Sequence, residues 1–70
     1  MQSLGDSLAE TVRRLRGDAT QREFAKKLGV SVATLNRIES AQQNVTLATL
    51  ERLCRRLRCT VGFLFGESPH

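Results

Sequence analysis

Aromatic side chains are almost missing from these 70 residues: there is no Trp, no Tyr and only three Phe. Proteins that hold single strands or read RNA loops stack bases on aromatic faces, and this chain offers no such platform. Histidine is as scarce, with His70 alone at the chain end, leaving no imidazole placed for acid–base work or metal binding. The two cysteines, Cys54 and Cys59, have no histidine near them. Their spacing makes a poor zinc site and an unfavourable disulfide across a helix end, so both read as small apolar residues in a reducing compartment. No apolar run approaches the ~20 residues of a membrane span, and no charged-then-apolar leader opens the chain. A nucleophile–base pair and a phosphate-cradling loop are also missing. The expectation is a soluble, cytoplasmic protein that is not an enzyme, with no cofactor, no metal and no membrane contact.

What the chain does carry is positive charge, +4 in formal balance, with a pI near 10.1. Lys and Arg placed on phosphates release condensed counterions, so the balance favours a polyanionic partner. The length suits one small domain near the lower limit for a self-sufficient core. That domain is expected over residues 1–70, with an ordered core at about 6–65 and a frayed tail at 66–70. No segment alternates with period two, and repeats and low-complexity tracts are absent, so nothing calls for a sheet.

Helical spacing recurs instead. Leu4, Leu8, Val12 and Leu15 predict a first helix over about Asp6 to Arg16, stopped by Gly17. Thr20 with Glu23 forms a capping-box pattern, which predicts a second helix from Gln21 to Leu28, ended by Gly29. Ser31 caps a third helix from about Val32 to Ser40, with Leu35 and Ile38 inward. After the polar loop Ala41 to Asn44, Thr46 caps a fourth helix with Leu47, Leu50, Leu53, Cys54 and Leu57 on one stripe. Thr60 caps a last short turn containing Val61, Leu64 and Phe65. The fold class is therefore all-α, a compact five-helix domain. Its second and third helices, Gln21 to Ser40, have the pattern of a helix-turn-helix, a unit best known for placing a helix in the DNA major groove.

Taken together, TQREFAKKLGVSVATLNRIES and TLATLERLCRRLRCTVGFLF resemble the lambda-repressor-like DNA-binding domain of phage repressor and Cro proteins. The resemblance runs from about Leu8 to Phe65. It rests on Gln21, Ala25, Gly29, Val30, Ser31, Leu35, Ile38 and Glu39 at their spacings. It implies a five-helix fold that binds operator DNA as a dimer, a Gln21 that contacts phosphate, and an Arg of the first helix paired with Glu39. Arg16 is the first choice for that pair and Arg13 the second. The turn Gly17 to Ala19 is shorter than is common in the family.

On the outer face of the third helix, Arg37 is the leading base reader, because its planar fork can bond guanine O6 and N7. The plainer reading is a solvated surface Arg. Asn36 matches adenine and serves equally as a surface amide. Val32 and Ala33 suit a thymine methyl, or are filler that avoids a clash with DNA. Gln21 leads the phosphate contacts, followed by Ser31, Thr34, Gln42, Gln43 and Asn44; such contacts orient the protein without reading sequence. The arginines at 52, 55, 56 and 58 read as a solvated face with stems over apolar surface, ahead of a phosphate grip. Val61 and Phe63 are the expected dimer or partner surface. The resulting expectation is a transcriptional repressor that binds a pseudo-palindromic operator as a homodimer. The alternatives are an antitoxin that holds DNA and a toxin protein, and the controller of a restriction–modification operon.

Overall fold

The computed structural model describes residues 4–41 and 45–66. Among them are five helices, α1 (Leu4–Arg16), α2 (Gln21–Leu28), α3 (Val32–Glu39), α4 (Leu47–Leu57) and α5 (Val61–Leu64). α1 begins two residues before the expected Asp6, and α3 ends one before Ser40, which forms its C-cap.

Local chemistry sets the boundaries. The Thr20 hydroxyl accepts from the Glu23 amide at 3.0 Å, and the Glu23 carboxylate accepts from the Thr20 amide at 3.1 Å. This reciprocal box starts α2, and hydrogen bonding of the Glu23 carboxylate to Thr20, to its backbone amide foremost and then to its side chain, holds the carboxyl below its ordinary pKa. Gly29 ends the helix at φ +73°, a left-handed conformation in which a side chain is strained. Ser31, Thr46 and Thr60 each accept from the amide three residues on, capping α3, α4 and α5. α4 ends unusually, with the non-glycine Arg58 at φ +53°. The Cys59 amide then reaches back to the Cys54 carbonyl at 3.0 Å, the long bond of a Schellman-type ending. Both cysteines are free and half-buried. Burial, followed by the neighbouring Cys54, pushes the Cys59 thiol above its ordinary pKa.

The core gathers Leu8, Val12, Phe24, Ala25, Leu28, Leu35, Ile38, Leu53 and Leu64. α3 lies against α1 and α2, while α5 closes the other end against α1 and α4. Two apolar stripes prove shorter than their sequence periodicity. Leu4 and Leu15, at opposite ends of α1, are 72% and 38% exposed, and Leu47, at the start of α4, is 78% exposed. Each lies on the correct face of its helix, but in a terminal turn that overhangs the bundle. Val61 is exposed and Phe65 half-buried, so Leu64 alone carries α5 into the core.

Candidate nucleic-acid interface

α3 has only eight residues, and its inward face is Leu35, Ile38 and Glu39. Helical geometry leaves Val32, Ala33, Asn36, Arg37 and Ser40 exposed on the outside. The structure thus brings the four expected base-reading residues onto one solvent-facing surface.

The side chains expected at phosphates differ in what they have left to offer. Ser31 accepts from the Thr34 amide at 3.0 Å and donates its hydroxyl proton to Thr34 Oγ1 at 2.9 Å. Its hydroxyl is spent on the cap, so the Thr34 hydroxyl is the donor that remains. Gln21, half-buried at the start of α2, donates Nε2 to Glu39 Oε1 at 3.1 Å. Its Oε1 accepts from Asn36 Nδ2 at 3.5 Å, a long contact. The expected phosphate contacts Gln42, Gln43 and Asn44 lie outside the described residues.

Behind this surface Glu39 is buried, its side chain 5% exposed. Arg16 grips it with both arms of its fork, Nε to Oε2 at 2.8 Å and Nη2 to Oε1 at 3.1 Å. Arg16 also donates Nη1 to the Ala19 carbonyl at 2.8 Å, fixing the short turn after α1. Arg13 donates to the Glu39 backbone carbonyl at 3.0 Å, where α3 ends and its dipole is negative.

Sequence reasoning left two groups out of the site. Arg52, read as part of a solvated face, donates Nη1 to the Gly29 carbonyl at 2.8 Å. The Arg56 guanidinium lies over the same glycine, 3.0 Å from where a Cβ would stand. Arg52 thereby ties down the turn of the helix-turn-helix, and Arg56 packs over it. The two arginines sit one helical turn apart on α4, a spacing that the sequence shows without showing the backbone turn they meet. Leu15 is the second omission. It joins Leu57, Cys59 and Phe63 around a recess of about 380 Å³, bordered by Arg58 and Thr60. Phe63 is 36% exposed there, and Val61 is 48% exposed.

Among the described residues, no group of three or more His, Cys, Asp or Glu stands close enough to hold a metal ion. None of their helices is long and apolar enough to cross a membrane. Compared with known families, residues 12–64 match the family model described as helix-turn-helix. No curated protein and no solved structure matches the chain.

Proposed function

The chain belongs to the lambda-repressor-like helix-turn-helix family of DNA-binding transcription regulators, and on that premise we propose that it is a cytoplasmic repressor that occupies a pseudo-palindromic operator as a homodimer. The observation that carries the reading is the bare outer face of α3, with Arg37, Asn36, Val32 and Ala33 exposed together on a helix fixed from behind. Arg37 bonds a guanine edge, Asn36 an adenine edge, and the two small apolar residues meet thymine methyls. Gln21 and the Thr34 hydroxyl hold flanking phosphates.

Size supports two copies. The molecule is 30 Å in its longest dimension, and half-sites read from one side of DNA are about 34 Å apart. One copy therefore covers one half-site. A second copy seated on Phe63 and Val61 buries the exposed apolar recess by two-fold symmetry. The same recess supports the rival reading, an antitoxin that holds a toxin chain there.

Selection of bound duplexes from a random library at about 150 mM salt tests the proposal. A two-fold-symmetric site is expected, and Arg37→Ala should cost about 1–3 kcal/mol at the guanine it reads. Weak, unpatterned, salt-sensitive binding overturns operator recognition. Sedimentation at micromolar concentration tests the dimer separately: Phe63→Ser should shift the protein to monomer and weaken operator binding. A monomeric wild type whose DNA affinity Phe63→Ser leaves unchanged removes the homodimer and moves weight to a heterologous partner.

A further inference from the structure

We propose that Cys54 and Cys59 form a thiol–disulfide exchange site, which small-molecule disulfides close into an intramolecular bond that latches the short α5 to the end of α4. The site goes beyond the operator reading and does not depend on it.

On a continuous helix the two cysteines would point about 140° apart, since each residue turns the chain by about 100°. Spacing alone therefore disfavours a bond between them. The structure leaves that helix at Arg58, whose φ is +53°. One left-handed residue turns the chain back, and the Cys59 amide donates to the Cys54 carbonyl at 3.0 Å. In a Schellman-type ending, the residues joined by this long bond are among those whose side chains meet. Here both of them are cysteines. Standard bond lengths on either side of the 3.0 Å hydrogen bond hold the two Cα atoms within about 7 Å, the span a disulfide can bridge. The thiols themselves interact: burial foremost, then the charge of Cys54 and a side-chain hydrogen bond with it, raise the Cys59 pKa.

Access comes from the apolar recess. Both thiols are free and half-buried, and Cys59 lines the recess of about 380 Å³ beside Phe63, Leu15 and Arg58. A small disulfide reaches Cys59 there. The Cys59 thiolate attacks one of its sulfurs and expels the other as a thiolate, leaving a mixed disulfide. The Cys54 thiolate then attacks the Cys59 sulfur and expels the second small thiolate. The protons lost by the two cysteines end on the two small thiols. The pair is thus oxidised by two electrons and the small disulfide reduced by two. In a reducing compartment the pair rests as a dithiol, and it closes when the level of disulfide rises.

What the bond holds is α5. That helix has four residues, starts at the Thr60 cap beside Cys59, and buries only Leu64. Tying Cys59 to Cys54 fixes its starting point against α4. Leu57 of α4 and Phe63 of α5 wall the same recess, so the redox state sets how firmly this surface is held.

The test incubates the native protein with stepped ratios of reduced to oxidised glutathione at pH about 8, followed by acid quench, alkylation and intact mass. Wild type is expected to end as single chains that lack two hydrogens and carry no glutathione. Cys54→Ser removes the resolving sulfur and should retain one glutathione on Cys59. At a given ratio, the folded protein should hold roughly ten-fold or more disulfide relative to dithiol than the same protein in concentrated urea. Amide exchange at Phe63, Leu64 and Phe65, whose N–H groups bond within α5 and its cap, should slow on oxidation. Wild type that carries glutathione on each cysteine, or that links two chains, overturns the site. A disulfide ratio no higher in the folded protein than in urea refutes the geometry, and needs no variant to fold. Unchanged exchange in α5 refutes the latch.

Discussion

Replacing Arg16 with Met should reveal how much of this small domain hangs on one ion pair. The substitution keeps most of the apolar stem and removes both bonds to Glu39, at 2.8 and 3.1 Å. Glu39 stays behind with its side chain 5% exposed and Gln21 as its remaining side-chain donor. Breaking a fully buried pair from one side costs about 3–5 kcal/mol, since the other charge is stranded. Arg16 is 25% exposed, so water reaches the pair and the expected loss is smaller, about 2–3 kcal/mol. A domain of this size is stable by only about 4–10 kcal/mol in total. At about 4–8 °C per kcal/mol, the midpoint should fall by roughly 10–20 °C. Thermal and urea unfolding of Arg16→Met, Glu39→Met and the double variant measure the effect. The double variant strands no charge and should cost less than Arg16→Met alone. A single-variant loss under about 0.5 kcal/mol, or losses that simply add, refutes the reasoning.

Two further outcomes are expected. Gly29→Ala forces a Cβ onto a residue at φ +73°, 3.0 Å from the Arg56 guanidinium. The arginine can swing aside but the backbone cannot, so the loss should be about 1–2 kcal/mol in urea unfolding, and less for Gly29→Asn. Equal losses for the two would point to the contact rather than the backbone. Glu23 has a lowered pKa in the folded state, so its charge stabilises the fold above the ordinary value of 4.5 and that contribution is lost as pH falls through the folded value. Glu23→Gln can still complete the capping box. Its melting point should therefore trail wild type at pH near 7, and the gap should narrow as the pH falls below the ordinary value of 4.5 and through the lowered folded value; a gap independent of pH would assign the effect to something other than charge.

Boundaries were legible in the sequence because they are local. Thr20, Ser31, Thr46 and Thr60 each cap a helix with their own hydroxyl, and Gly29 marks a left-handed turn. The left-handed Arg58 was not legible, since nothing in its side chain demands that conformation. Periodicity gives the direction of a face but not the extent of the neighbour it meets, which is why Leu4, Leu15 and Leu47 overhang. The ties around α3 span 15 to 26 residues, from Asn36–Gln21 to Arg13–Glu39. No helical period relates positions so far apart, and for Arg52 the partner is a backbone carbonyl, which has no sequence signature.

Those long ties answer a constraint peculiar to a reading helix. An eight-residue helix is not stable alone, and α3 has just Leu35 and Ile38 to bury as apolar side chains. Its outer face cannot be covered, because that is the surface a duplex would meet. Apolar packing on one side is therefore supplemented at the ends: Ser31 caps the first turn, Arg13 takes the last carbonyl, Arg16 and Gln21 hold Glu39, and Arg52 fixes the turn before it. Glu39 by itself is unfavourable where the helix dipole is already negative, and Arg13 and Arg16 offset both charges. Rigidity gained this way is set during folding, so it need not be lost again as ordering entropy when DNA binds. The two classes of arginine should then separate by experiment. Removing Arg37 should weaken DNA binding with the melting point unchanged, whereas removing Arg16 should lower both.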